Sequence, residues 1–498
     1  MILILQTVLS FFLFGIGYFF YHDYKRRRLH FPPGPIGLPV IGSLASFGNN
    51  PHVTFDKWRR KYGSDTVGCR LGSQNIVILH DLVTIRKTLA DEDSTGRTHI
   101  TFGTKDLESQ DGVHYGVVNS EGELWQEHRR FTLSTLKDFG MGKTWLEDAI
   151  IEEIDDLCCV LESYGSRAMD PAKHIYHCAA NIICALLFGK RFDHDDEGFT
   201  RLATTVADQV EQASDDFLFL VCPYLQYIPG RFRNRCRKAQ ENYRNIAKFT
   251  ENFVKRHRQT VAQHEARDYI DAYLLKAGSL DNERKEFYSD KQLEVAMYDL
   301  FITGTETTST TIVWCLLFML EYPNIKKKVQ EEIDLFTDEK KREVRFGDKG
   351  VLPLTEATIL EVQRMTTIAA LAVPHRAKRD MLIDGYFVPE DTWILPNLYS
   401  VHHDPKHWES PEEFNPYRFL DKDGVIDKAH TFVVFGIGRR ACPGELLARM
   451  ELFLMFARLM QRFDITLLPG NTVSHTDYCT SIVLSPKPFE NAFIPRQR

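Results

Sequence analysis

A mainly α-helical protein with small β-sheets, an α+β fold preceded by one membrane-spanning helix, is what three features of this sequence predict. Long segments carry apolar residues at helical spacing, among them 145–161, 239–256, 293–321 and 447–462, whereas strand-like runs such as 75–79 are short and few. No Ser/Gly-rich or Gln/Asn-rich tract and no internal repeat divides the 498 residues into modules. Residues 1–21 hold no charged side chain and are rich in Leu, Ile and Phe, close to the roughly 20 residues that a membrane-spanning helix needs.

The apolar stretch is followed at once by Lys25, Arg26, Arg27 and Arg28. Lys and Arg beside a span stay cytoplasmic, so the first residues are expected in the lumen and the rest of the chain in the cytosol. A cleaved signal peptide, the rival reading, wants a basic start and a shorter apolar run, and here the basic residues come after the span. Next comes Phe31-Pro32-Pro33-Gly34-Pro35, then Gly37 and Pro39, whose fixed φ angles and missing donors make a stiff connector. The expected organisation is an anchor over 1–24, a basic cluster and Pro-rich hinge over 25–44, and one catalytic domain over 45–498. A hydrophobic share of 43% supports a substantial core, and a net charge of −7 argues against a nucleic-acid partner.

Ten cysteines, with Cys158 and Cys159 adjacent and no CxxC pair, form no disulfide or zinc pattern, and most are expected to be small buried hydrophobes. Cys442 is the exception. It lies in Phe435-Gly436-Ile437-Gly438-Arg439-Arg440-Ala441-Cys442-Pro443-Gly444-Glu445, directly before a helix-periodic segment. Pro443 suits the first position of that helix, which would put Cys442 at a helix N-terminus, where free amides and the dipole favour a thiolate. Gly436, Gly438 and Gly444 would let backbone approach a flat cofactor, and Arg440 offers a planar fork suited to a carboxylate.

This string resembles the cytochrome P450 signature, and the resemblance implies the cytochrome P450 fold with Cys442 as axial ligand of the iron of haem b. Thiolate ligation pushes electron density onto iron and favours O–O cleavage. Phe435 would shield the sulfur.

Thr303-Gly304-Thr305-Glu306-Thr307-Thr308 interrupts an otherwise apolar helix with weak helix formers, and Thr hydroxyls bonding one turn back bend helices, so a groove is expected there. An acid beside an alcohol in a buried site relays protons from water. The string resembles the family's oxygen-binding motif, with Glu306 and Thr307 in the acid and alcohol positions. Thr303 departs from the family's usual Ala or Gly, which predicts a narrower or more polar groove.

Glu361 and Arg364, three apart on one helix, resemble the family's ExxR pair, completed by Arg418 in Asn415-Pro416-Tyr417-Arg418-Phe419. The resemblance makes these three a structural brace. Trp125 and Arg129, one turn apart, match the family's WxxxR element, and His375 resembles a further contact, all three toward the haem propionates. His402 and His403 are expected to be structural. The order and spacing of these motifs run through the entire chain and resemble the animal microsomal clan, which holds drug-metabolising, steroid-hydroxylating and insect-hormone enzymes.

No flavin- or nicotinamide-binding motif appears, so a separate NADPH-cytochrome reductase is implied, with a cytochrome b-type donor as a second candidate. His128, Arg129, Arg130, Lys137 and Arg439 are expected to form its positive docking patch. The resemblance implies residence in the endoplasmic reticulum membrane with the catalytic domain cytosolic. It also implies insertion of one atom of O2 into a lipophilic molecule, a sesquiterpenoid or steroid hormone or a foreign compound. The expected pocket lining draws on 98–118, 217–220, 369–373 and 479–482, with Ile302, Thr303, Ala370 and Val373 foremost. A haem-thiolate isomerase or dehydratase, and a non-catalytic haem carrier, are the alternatives; the acid/alcohol pair would be superfluous in both.

Overall fold

The computed structural model describes residues 17, 21, 30–39, 41–72, 74–98, 112–139, 144–193, 196–212, 226–261, 265–340 and 342–496. The expected anchor and basic cluster lie outside them, as do 99–111 and 217–220 of the expected pocket lining. Among the described residues no helix is long and apolar enough to cross a membrane.

The chain opens with α1 (Pro51–Tyr62), the hairpin β1 (Thr66–Leu71) and β2 (Gln74–Leu79), α2 (Leu82–Ala90) and β3 (Gly96–Arg97). Helices then dominate: α3 (Gly122–Phe139), α4 (Thr144–Ser163), α5 (Ala172–Phe188), α6 (Glu197–Gln212), α7 (Arg231–Thr260), α8 (Tyr269–Ser279), α9 (Asn282–Lys285), α10 (Asp290–Glu321), α11 (Pro323–Lys340) and α12 (Pro353–Thr366). After them come β4 (His375–Arg376), β5 (Met381–Ile383), β6 (Tyr386–Val388), β7 (Trp393–Pro396) and α13 (Leu398–His402). The chain closes with α14 (Glu445–Arg462), β8 (Phe463–Thr466), β9 (Tyr478–Thr480), β10 (Leu484–Pro486) and β11 (Ala492–Pro495).

α10 is the axis of the helical core. The Ser289 side chain caps it by accepting from Gln292 N, and its C-terminal half is buried all round, from Thr308 to Met319. A helix apolar on every face needs neighbours on every face. α5, α14 and α12 pack against it, and residues of all four share one hydrophobic cluster. Gly304 faces α5: a Cβ there would stand 2.6 Å from Ile183 Cδ1, so the missing side chain lets the two helices close. α10 is continuous through Thr303–Thr308. Thr303, Thr307 and Thr311 donate to the carbonyls of Asp299, Thr303 and Thr307 at 2.7, 2.8 and 2.7 Å while the regular backbone is kept.

The main sheet has order β1-β2-β7-β4-β3. β1 and β2 pair antiparallel, β2 and β7 pair parallel, and β7 is buried along its whole length. At the far edge the two-residue strand β3 pairs with β4 so that Arg97 stands opposite His375. Directly opposite residues of an antiparallel pair project from the same face. The sheet thereby brings two charge-bearing residues, almost 280 positions apart, to one place.

Candidate active site

The Cys442 loop is held at its neck by the Cys442 N–H, which donates to Phe435 O at 2.9 Å. Its glycines answer local demands of the loop itself. Gly438, at φ +80°, packs so tightly on α2 that a Cβ would stand 2.3 Å from the Leu89 carbonyl oxygen. Gly436 has open space around it and is required by its φ of +72°, a conformation costly for side-chain-bearing residues. Gly444 lies beside the sulfur, its N–H donating to the Cys442 thiol.

Two details of the helix start differ from expectation. Pro443 is not the first helical residue: Gly444 is the N-cap and α14 begins at Glu445, so Cys442 sits two residues ahead of the cap. That offset is what turns the Gly444 amide toward the sulfur. The helix end favours a thiolate through the Gly444 amide, but burial outweighs it. Burial pushes the Cys442 thiol up and the Glu445 charge adds to this, against the smaller opposing pull of the Gly444 amide and Arg129. Yet Cys442 has an exposed surface. A group that is deep in the protein and still accessible lines an internal cleft. Phe435, half-buried, carries the Arg449 guanidinium 4.9 Å over its ring, and Arg449 pairs with Glu445 at 2.7 Å.

Beside this loop several cationic side chains converge. Arg440 donates from Nε to Thr95 O at 3.1 Å and from Nη2 to Ser120 O at 2.7 Å, and it lies 3.8 Å over the ring of buried Trp125. Its Nη1 is buried without a hydrogen-bond partner. Arg129, one turn beyond Trp125 on α3, donates to Ala441 O at 2.7 Å. Arg97 is buried and donates to the carbonyls of Val118, Val373 and Pro374 at 3.2, 3.0 and 3.2 Å. Burial and mutual repulsion bring Arg97 down to about 9 and Arg440 down to about 8, with Glu121 acting against the fall. His375 donates from Nδ1 to Ser94 O at 2.8 Å, and burial followed by the Arg97 charge holds it well below the usual imidazole range. A buried group of guanidiniums with an unused donor is a seat for anionic carboxylates. The residues therefore fit a planar cofactor that carries carboxylates and offers a metal to sulfur.

On the other side of the Cys442 loop is a closed network. Arg364 binds Glu361 through Nε to Oε2 at 2.7 Å and Nη2 to Oε1 at 2.9 Å, with both side chains fully buried. Arg418 adds Nε to Glu361 Oε1 at 2.9 Å and spends its other nitrogens on the carbonyls of Glu409, Ser410 and Glu413. Arg364 Nη1 reaches His402 O at 2.8 Å. The His402 ring then bridges Thr367, 2.9 Å from Nδ1, and the N–H of Val433, 3.0 Å from Nε2, so the network is tied to the segment leading into the Cys loop.

On α10, Thr303 is exposed and Glu306 and Thr307 are half-buried, an open stripe on an otherwise buried helix. Burial raises the Glu306 carboxyl to about 7, and Thr310 Oγ1 donates to it at 3.3 Å. Thr307 keeps its oxygen free to accept, having donated to Thr303 O. Of the expected pocket residues, Thr303 and Val373 present open surface, whereas Ile302 and Ala370 are 5% exposed. The cause for Ile302 is helical phase: it faces the core cluster one position away from the open stripe.

The expected docking patch also changes. His128 is fully buried, its Nε2 donating to Phe287 O at 2.7 Å, and Arg129 is committed to Ala441, which leaves Arg130, Lys137 and Arg439 on the surface.

Three residues escaped the sequence reading. Arg97 belongs to no spaced motif. Asp299, one turn before Thr303, accepts from Val117 N and Val118 N at 2.8 and 2.9 Å and is raised by burial to about 7. Glu451 on α14, bonded to Thr308 of α10, is raised by burial to about 8. A lone acid within an apolar helical run was the available signal for the last two.

The family model for cytochrome P450 matches residues 32–493. The chain is 35% identical to cytochrome P450 2U1 of Rattus norvegicus over 494 residues, covering 93% of this chain and 91% of that protein. It is 35% identical to cytochrome P450 2K4 of Oncorhynchus mykiss over 473 residues, covering 93% and 92%. Cytochrome P450 18a1 of Drosophila melanogaster is 34% identical over 479 residues, covering 94% and 87%. The Cys loop, the carboxylate seat and the buried Glu/Arg brace agree with these matches: the chain belongs to the cytochrome P450 family, in its animal microsomal clan, and is a haem-thiolate monooxygenase that carries haem b.

Proposed function

We propose that Cys442 would ligate the haem iron, that Arg440, Arg97, Arg129, Trp125 and His375 would hold the haem propionates, and that Glu306 and Thr307 would manage protons for the reaction. The observation that carries this reading is the unused Nη1 of Arg440 among like charges beside the Cys442 loop, since two carboxylates there would neutralise what the protein alone leaves repelling. The bound haem supplies the iron at which O2 is activated. The chain does the rest. The Gly444 amide and Arg129 support negative charge on the sulfur. Glu306, near 7, is poised both to give and to regain a proton at neutral pH, and Thr307 Oγ can accept from it or from a water. Glu361, Arg364 and Arg418 brace the Cys loop and Gly436 sets its turn; they carry no chemistry.

The reaction is insertion of one oxygen atom from O2 into a lipophilic small molecule, by hydroxylation or epoxidation, a lipid hormone and a foreign compound both being of the right class. NADPH electrons arrive through a reductase, for whose acidic face Arg130, Lys137 and Arg439 supply the positive patch. Residues 1–24 anchor the chain in the endoplasmic reticulum membrane with the body cytosolic, as the charge-free stretch 1–21 and the basic residues behind it favour. In the test, reduced protein with carbon monoxide gives the red-shifted Soret band of thiolate ligation, Cys442→Ala abolishes it, and product formation needs both NADPH and reductase. An unshifted band in the unaltered protein would sink the assignment.

A further inference from the structure

Tyr176, in the first turns of α5, is oriented unlike most tyrosines. Its ring is only partly buried at the edge of the core, yet its hydroxyl is buried and has no hydrogen-bond partner. Tyrosine at a boundary normally keeps its polar tip in water and its ring inside. Here the tip is turned inward. What lies inward is α10: Ile183, two turns along α5 from Tyr176 and so on the same face, fills the space left by Gly304, two residues from Glu306. The Glu306 charge acts on the Tyr176 phenol, which puts the two groups within electrostatic reach across this contact.

The groups around Glu306 are few. Thr310 of its own helix donates to it at 3.3 Å, Tyr176 faces it from α5, and Glu451 of α14 stands beyond Thr308 on the neighbouring position. Among the described residues, burial and the Thr310 hydroxyl govern its carboxyl, with no Lys, Arg or His among the causes. A buried hydroxyl without a partner is destabilising, since its lost hydration goes uncompensated. It is normally satisfied by an ordered water that itself finds two to four polar partners.

We propose that Tyr176 Oη and the Glu306 carboxyl share a buried water, with Thr310 as its third partner, and that this water is the station from which Glu306 recovers the proton it gives up toward Thr307. The inference rests on the role proposed above for Glu306 and extends the path outward to α5. In the transfer, the water gives a proton to the Glu306 carboxylate and takes one from the next water outward, so O–H bonds formed and broken balance and nothing is oxidised. Tyr176 holds the water and touches neither substrate nor cofactor; it is a positioning residue.

Tyr176→Phe removes one oxygen and keeps the ring. In the haem-loaded full chain with reductase, this variant is expected to keep the reduced carbon monoxide band while the share of NADPH electrons lost as peroxide at least doubles. The solvent deuterium isotope effect on turnover should rise as well. In difference infrared spectra the Glu306 carboxyl band, assigned by its loss in Glu306→Gln, should exchange into D2O more slowly. An unchanged peroxide share together with unchanged exchange overturns the proposal. Should the variant not take up haem, a high-resolution structure of the unaltered holoenzyme decides: an ordered water on Tyr176 Oη supports the relay and a dry hydroxyl ends it. Failure of the parent reading looks different, as the unaltered enzyme would then show neither oxygen-dependent product nor peroxide.

Discussion

Two buried charge networks flank the Cys442 loop, and they are built on opposite plans. Glu361, Arg364 and Arg418 form a closed set in which both carboxylate oxygens and the guanidinium nitrogens used are paired within the protein at 2.7 to 2.9 Å. Arg97, Arg129 and Arg440 form an open set: they spend their donors on backbone carbonyls, repel one another, and leave Arg440 Nη1 unmet. The closed set braces, because the carboxylate is shared by both guanidiniums and their remaining nitrogens donate to backbone carbonyls. The open set is incomplete until anions arrive, which is the property of a binding seat.

Breaking each set should therefore give different failures. The largest effect belongs to Glu361→Ala, which strands two arginines, one fully buried. Removing one partner of a buried pair costs about 3–5 kcal/mol, so little folded protein should survive, seen as loss of the reduced carbon monoxide band and an early denaturant midpoint. Arg440→Leu should instead separate folding from binding. Relief of repulsion from Arg97 and Arg129 offsets the Thr95 and Ser120 carbonyls left without a donor, so the apoprotein unfolds near the unaltered midpoint. Haem affinity falls about 10- to 100-fold, the loss of a charged hydrogen bond worth about 1.5–3 kcal/mol, as read by haem-transfer titration. If Arg440→Leu proved as destabilising to the apoprotein as Glu361→Ala, the distinction between brace and seat would fail.

The two networks also differed in how far the sequence revealed them. Glu361 and Arg364 are three apart on a helix, and Trp125 and Arg129 four apart on another, so helical geometry alone puts each pair on one face. Long helices announced themselves in the same way: the periodic segments 239–256 and 293–321 lie within Arg231–Thr260 and Asp290–Glu321. Arg97 was invisible because its placement depends on two strands of two residues each, paired across almost 280 positions. No local period exists in so short a strand. The close approach of Gly438 to the end of α2 was invisible for a related reason, since nothing local in the sequence pairs those two segments.

A smaller effect concerns α14, which carries the Cys loop's charges on one side and a lone carboxyl on the other. Burial raises Glu451 from an ordinary value of 4.5 to about 8. A raised carboxyl is held neutral in the fold, so between pH 4.5 and 8 the folded chain keeps a proton that the unfolded chain has released. Its contribution is undiminished below 4.5 and is lost as pH climbs toward 8. Glu451→Gln should leave the thermal midpoint unchanged at pH 5 and raise it by about 2 °C at pH 8, measured by calorimetry on the apoprotein. An equal shift at both pH values would show that packing, not charge, decides this site.

The smallest effect tests why the open network is open. Its acceptors, Val118 O and Ser120 O, lie on the segment 116–120, whose other contacts run to α10: Asp299 Oδ2 accepts from Val117 N and Val118 N, and Gln292 both accepts from Gly116 N and donates to Gly116 O. A Cβ on Gly116 would stand 2.3 Å from Asp299 Oδ2, so the segment is seated closely on that carboxyl. Asp299 is raised by burial to about 7, hence half-ionised near neutrality, and the strength with which it holds the segment varies with pH. Asp299→Asn keeps an oxygen that accepts from the same two amides and removes the charge. Haem affinity at pH 7 should then change by less than about twofold, since an amide oxygen accepts about as well as a half-ionised carboxyl. Its variation between pH 6 and 8 should flatten, because no proton is left to titrate on that side of the segment. A pH profile as steep as that of the unaltered protein would place the titrating group among Arg97, Arg440 and the propionates, and would make the seat independent of the helix it faces.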